Sequence, residues 1–328
     1  MDTANEPEQF PFNPPTQLTR REFLVMLAGA VSLAALPLSA CKGSNGETNL
    51  PLGSPTVSPP AIISSGVLRV GVATDNIPFA GKAENEEGKS VIIGLDVDIA
   101  AALADQLGLR LNLVDTLGRD ITSMFVNSEI DLFFGYQQED QSHSPYVLIG
   151  PYLNDGPAIF TMGLSLPQNG FNLDSLNGQM IAVRAGSLSA HVLETRYGSD
   201  SIVAFPTLAE AFDAVESGLI SYVASDAVVG AYQSRKYRDF ICLGFLEEQP
   251  QSVFLCVKPG NQEMTEASNQ ALREIRNNGT LKVIVNKWLG PSTANLVLGA
   301  AGSNSAGQNP GDFGEDIPDP SNSDSLVE

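Results

Sequence analysis

The sequence predicts a layered α/β fold in two lobes, and three observations carry that prediction. Residues 90–108 read as a strand and a helix: a short run rich in β-branched residues, a break at Gly94, then Asp96 and Asp98 opening a helix whose Ile99, Leu103 and Leu107 recur four apart. That spacing lays one apolar stripe along a helix, the early acids suit its N-terminal dipole, and glycine at 108 ends it in the usual way. A strand over residues 110–114 completes the strand–helix–strand unit of a layered α/β protein. The same order recurs in a second round after residue 173. Two further helices arrive only after both rounds, so the chain crosses between the lobes more than once and ends back on the first.

The first strand is Gly66-Val67-Leu68-Arg69-Val70-Gly71-Val72, with alternating apolar side chains, and a loop over 73–79 closes in Asn76-Ile77-Pro78-Phe79. Ile121, Met124 and Phe125 mark a short helix, and Ile130-Asp131-Leu132-Phe133-Phe134 a buried strand. A polar loop over 137–144 and a run over 146–152 lead to a crossover near 155–160. In the second round Met180-Ile181-Ala182-Val183 is a strand, Gly186-Ser187 opens a helix reaching Leu193, and residues 202–205 are a strand. Thr207-Leu208-Ala209-Glu210 is a capping box, followed by Ala211, Phe212 and Val215 on one face. Residues 222–224 form a strand running into Asp226. Apolar runs at 242–246 and 253–257 flank a polar loop that carries the chain back. Met264, Ser268, Ala271, Leu272 and Ile275 define one closing helix; Leu281, Ile284, Val285 and Trp288 define another that stops at Gly290, with Trp288 in the core.

The ends of the chain differ in character. Arg20-Arg21 stands ahead of an apolar run over 23–40 that closes in Leu38-Ser39-Ala40-Cys41. This resembles a bacterial twin-arginine signal peptide with a lipobox, over residues 1–41, and the resemblance implies that Cys41 is lipidated. The alternative is an uncleaved membrane helix, since about 18 apolar residues approach the spanning length. Either reading leaves the remaining chain outside the cytoplasm, attached to a membrane. Residues 42–65, rich in Gly, Ser, Thr and Pro, read as a flexible linker, and residues 299–328 as a disordered acidic tail.

A hydrophobic content of 43% over 328 residues suffices for packed cores. A net charge of −20 argues against nucleic-acid binding, which needs a basic stripe. Three cysteines make no disulfide framework; Cys242 and Cys256 either bridge or stay as buried thiols. The two histidines, His143 and His191, stand in different lobes with no cluster at ligand spacing, so no metal or cofactor is expected.

Leu68-Arg69-Val70-Gly71-Val72, Pro78-Phe79, Gly94-Leu95-Asp96-Val97-Asp98-Ile99, Ile130-Asp131-Leu132 and the closing Asn278-Gly279-Thr280-Leu281 with Lys287-Trp288-Leu289-Gly290 resemble the polar amino-acid class of extracytoplasmic solute-binding proteins, family 3. The resemblance spans about residues 66–290. It implies a periplasmic-binding-protein-like fold: two α/β lobes joined by two hinge strands, with a ligand cleft between them. Residues 66–157 and 251–291 would form lobe 1 and residues 158–250 lobe 2. It also implies a monomeric, non-enzymatic substrate-binding component of an ABC importer, held at the membrane through Cys41, that presents a small polar solute to a permease.

Residue by residue, the resemblance puts Asp226 where the family's aspartate holds a ligand ammonium. Ser187, after Gly186, falls where hydroxyl and backbone N–H receive a carboxylate at a helix start. The plainer alternatives are a strand-end or helix-cap aspartate and an ordinary serine N-cap. Asn76 stands where the family often has a ligand-covering aromatic, beside Phe79, and Tyr136, Gln137 and Gln138 bring a ring and amides to the same mouth. The family's carboxylate-clamping arginine falls on Ser142 or His143, and histidine cannot make that fork. Arg119 and Arg184 either replace its charge or are solvated surface groups. The expected solute is thus an amino acid or an amino-acid-like amine or amide. Two other readings stay open: a ligand-sensing lobe pair for a membrane signalling partner, and an exported cyclohexadienyl-dehydratase-like enzyme with Glu139 or Asp140 as its acid.

Overall fold

The computed structural model describes residues 53–85, 88–137, 144–163, 171–247 and 249–299. Arg20, Arg21, Cys41, Gln138, Glu139, Asp140, Ser142, His143 and the acidic tail lie outside the described residues. In chain order, strands β1 (Val67–Val72), β2 (Asp75–Asn76), β3 (Ala80–Glu84) and β4 (Ser90–Ile93) lead into helix α1 (Leu95–Gln106). Then come β5 (Arg110–Asp115), α2 (Ile121–Val126), β6 (Leu132–Gln137), β7 (Val147–Asp155) and β8 (Pro157–Met162). The second round is β9 (Ile181–Arg184), α3 (Leu188–Tyr197), β10 (Ile202–Phe205), α4 (Leu208–Glu216), β11 (Tyr222–Asp226), α5 (Ala227–Ser234) and β12 (Phe240–Phe245). The chain closes with β13 (Gln251–Val257), α6 (Gln262–Asn277) and α7 (Thr280–Val297).

Two five-stranded sheets form the lobes, one ordered β5-β1-β6-β13-β7 and the other β10-β9-β11-β8-β12. A small ribbon, β2-β3-β4, sits on the first lobe. Only Gly156 separates β7 of the first sheet from β8 of the second, and the return runs from β12 to β13. The two crossings lie side by side: Asp155 is in register with Gln251, and the Leu246 N–H donates to the Pro157 carbonyl at 2.7 Å.

Helix α1 forms as its periodicity requires, with Ile99 and Leu103 fully buried. Its start is fixed by glycine, since a Cβ on Gly94 would lie 2.1 Å from the Phe79 carbonyl oxygen. Leu95 and Asp96 donate their N–H groups to the Pro78 and Phe79 carbonyls instead. The core is continuous from Leu68 and Ile99 through Tyr152 at the crossing to Phe160 and Phe212 of the second lobe. Cys242 and Cys256 are free thiols on different sheets, each pushed up to about 12 by burial.

Two expectations are corrected. The segment expected as linker is docked from Gly53 onward, and Val57, Ala61 and Ile62 are buried in the first lobe's core. Its backbone is held by specific partners: Thr56 N–H donates to the Leu107 carbonyl, Ile63 N–H to Asp131 Oδ1, and the Asn261 amide to the Ala61 carbonyl. Gly108 makes room for it, because a Cβ there would lie 2.6 Å from the Gly53 oxygen. Three apolar side chains and these bonds outweigh the segment's polar composition. The last helix does not stop at Gly290; the backbone kinks there and α7 runs on to Val297.

Candidate functional site

Register places the carboxyl ends of the parallel strands of both sheets at the crossings. In the first sheet β6 runs antiparallel to β13 with Gln137 opposite Val253, and β1 is parallel to β6, so both end toward the hinge. In the second, Asp226 at the end of β11 lies opposite Pro157, the first residue past the crossing, and β9 is parallel to β11. Asn76, Tyr136 and Gln137 therefore stand near the strand ends of the first lobe, and Arg184, Gly186, Ser187 and Asp226 near those of the second. Such strand ends are where open α/β sheets bind ligands.

Asp226 occupies the N-cap position of α5, yet its side chain makes no capping bond. Asp155, from the hinge strand β7, does that work: its Oδ1 accepts from Val228 N–H at 3.0 Å and from Gly156 N–H at 2.8 Å. Asp226 Oδ1 is left buried without a hydrogen-bond partner. Burial raises the Asp226 pKa, against the nearby Arg184 guanidinium, which lowers it. Burial likewise pushes the Asp155 carboxyl up to about 7, against the Val228 and Gly156 N–H groups, and the Asp226 charge pushes the same way as burial. Asp226 thus keeps one buried oxygen, Oδ1, without a hydrogen bond, which is an arrangement a cationic ligand group would complete.

Ser187 is the N-cap of α3, accepting from Ala190 N–H at 3.2 Å, while its own N–H donates to the Arg184 carbonyl. Its hydroxyl proton remains a donor. Gly186 holds the preceding turn at φ 68°, and a side chain there would meet nothing within 4 Å, so the turn is open. Asn76 is exposed on the ribbon opposite Ala80. Gln137 is exposed at the end of β6, and Tyr136 stands half-buried with its ring edge-on to Tyr146 at 5.3 Å. Arg119 is taken up by an ion pair with Glu129, so of the two arginines considered only Arg184 stands near Asp226.

Phe79 is a correction. Its ring is only 4% exposed and belongs to the core, because the turn that carries it rests on the start of α1; it packs beneath the loop instead of lining a ligand wall. Sequence reasoning missed Asp155, whose partner Val228 lies 73 positions away. It also missed Asp96, buried below the mouth and accepting from the Tyr152 hydroxyl at 2.7 Å, with burial pushing its carboxyl up to about 7. An acid set in an apolar run next to Gly156-Pro157 was the available signal for the first.

The model for bacterial extracellular solute-binding proteins, family 3, matches residues 68–291. The chain is similar to the L-cystine-binding protein TcyA of Bacillus subtilis, 22% identical over 277 residues that cover 82% of this chain and 98% of the relative. It is 25% identical over 238 residues to the cyclohexadienyl dehydratase of Pseudomonas aeruginosa, covering 70% of this chain and 84% of that one. Among solved structures, a polar amino acid ABC uptake transporter substrate binding protein from Streptococcus thermophilus shares the fold with a TM-score of 0.60 at 20% identity, over 70% of this chain and 88% of that one.

Proposed function

Since the chain belongs to the bacterial extracellular solute-binding proteins of family 3, we propose that it is the substrate-binding component of an ABC importer, taking a small polar solute into the interlobe cleft. The solute carries an amine or amide. One observation carries this reading: the unpartnered, buried Asp226 oxygen at the cleft, spared from helix capping by Asp155. Ser187, Gly186 and Arg184 offer donors and positive charge across the same edge, while Asn76, Tyr136 and Gln137 close it from the first lobe. Gln138 and His143, which follow β6 in the sequence, are proposed as further ligand contacts. The first lobe takes residues 66–157 with 251–291, with the docked residues 53–65 packed on it, and the second takes residues 158–250. The chain acts as a monomer, exported through Arg20-Arg21 and anchored by lipid at Cys41.

A thermal-shift panel of amino acids, amides, polyamines and dicarboxylates tests the reading. A true ligand at about 100 times its Kd adds about 2.7 kcal/mol of stability. Stabilisation by amine- or amide-bearing compounds supports the proposal, and a panel that moves only with dicarboxylates overturns it. The likeness to a dehydratase keeps an enzyme as the second reading, and the recovered ligand decides between them: unchanged, the protein is a receptor; converted, an enzyme.

A further inference from the structure

The last helix joins the two lobes at a third place. Its first half belongs to the first lobe: Leu281, Ile284, Val285, Trp288 and Leu289 are buried, and Asp98 of α1 accepts from both the Trp288 indole and the Lys287 ammonium at 2.7 Å. At Gly290 the backbone leaves the helical region (φ 76°, ψ 165°), and Pro291 begins the second half. Proline suits that first position, but it has no N–H to give the Lys287 carbonyl one turn earlier.

The donor comes from the other lobe. Arg235, at the end of α5, gives its guanidinium to the Lys287 carbonyl and, at 3.1 Å, to the Trp288 carbonyl. Tyr232 of α5 also lies against the Trp288 ring, 6.3 Å between centroids. Beyond the kink Thr293, Ala294 and Val297 are buried, and the Thr293 hydroxyl reaches the Cys242 thiol on β12 of the second sheet. The family model's match ends at residue 291, so this docked half-helix lies almost wholly outside the matched stretch.

We propose that residues 291–297 are an interlobe strap, which clasps the second lobe to the first and limits how far the lobes swing apart. Two crossing strands alone leave a hinge free to bend. A third connection, through α7, resists rotation about that hinge, and the kink with its borrowed donor lets one helix serve both lobes.

The test uses the full chain with spin labels at Asp105→Cys and Glu194→Cys, one exposed site per lobe, in a background with Cys41, Cys242 and Cys256 each changed to Ser. Ala294→Lys with Val297→Lys should peel the strap and broaden the interlobe distance distribution toward longer values. Arg235→Gln, an exposed change that leaves the core intact, should broaden it less. In unlabelled protein, alkylation of Cys242 reports peeling directly and should become about tenfold faster in the double-lysine variant, as for an easier local opening. A reactive Cys242 with an unchanged distance distribution would overturn the proposal. So would a Cys242 that stays protected, because the half-helix would then not rest on the second lobe through these residues. Should the double-lysine chain fail to fold, the Arg235→Gln distribution decides alone: broadened supports the strap, unchanged rejects it.

Discussion

A buried carboxylate oxygen without a hydrogen bond costs on the order of 1–3 kcal/mol or more, so Asp226 weakens the unliganded protein. Its removal should therefore separate folding from binding. Asp226→Ala is expected to keep or raise the melting temperature and to abolish binding of an amine-bearing ligand, measured by calorimetry on the compound that shifts the melt. A lowered melting temperature with intact binding would show that Asp226 is merely structural. Ser187→Ala should cost about 1 kcal/mol through the lost cap and weaken the ligand less than the aspartate change does. The strand-end position of Asp226 was legible, because an acid directly after an apolar run stands where such sheets bind. Its freedom from capping was not, because the residue that caps in its place is distant in sequence and adjacent only once the lobes assemble.

Elements were legible where periodicity was strong and illegible where composition or a breaker outvoted it. Helix α1 follows its four-residue stripe, and Leu103→Ala, fully buried, should cost about 2–5 kcal/mol in a denaturant titration. Gly290-Pro291 reads as a stop, and nothing local reveals that an arginine from the other lobe supplies what proline withholds. The segment before β1 reads as linker, since Val57 and Ile62 are few among Ser, Thr and Pro; its partner is Asp131, which holds Ile63 and Arg69 N–H groups at 2.8 Å each. Asp131→Ala should release this segment, and limited proteolysis would then cut ahead of β1 while the lobes survive. Equal resistance in parent and variant would deny Asp131 that role.

Over the whole molecule the buried acids set a pH dependence. Burial pushes both Asp96 and Asp155 from 3.8 up to about 7, so the folded state holds their protons where the unfolded chain has released them. The sign follows: this contribution is fully present below the unfolded pKa and is lost as pH rises through about 7, with each pKa unit worth about 1.4 kcal/mol at most. The melting temperature should thus fall between pH 5 and pH 8. Asp96→Asn, which keeps an acceptor for the Tyr152 hydroxyl, should flatten part of the slope; an unaltered slope would place the protons elsewhere. The lobe architecture itself was readable from the order of strands and helices, because each round must bury its own apolar faces.

The docked segment ahead of β1 also fixes how far the receptor ranges. Were Cys41 lipidated as proposed, Gly53, packed against Gly108, could stand at most about 40 Å from the lipid, where a chain first docked at residue 65 would allow about 80 Å. Halving that radius would cut the volume searched about eightfold and raise the local concentration of the anchored protein at a membrane-bound permease by the same factor. Under the proposed anchor, the Thr56–Leu107 bond would also put the attachment on the Leu107 side of the first lobe, and that side would face the bilayer.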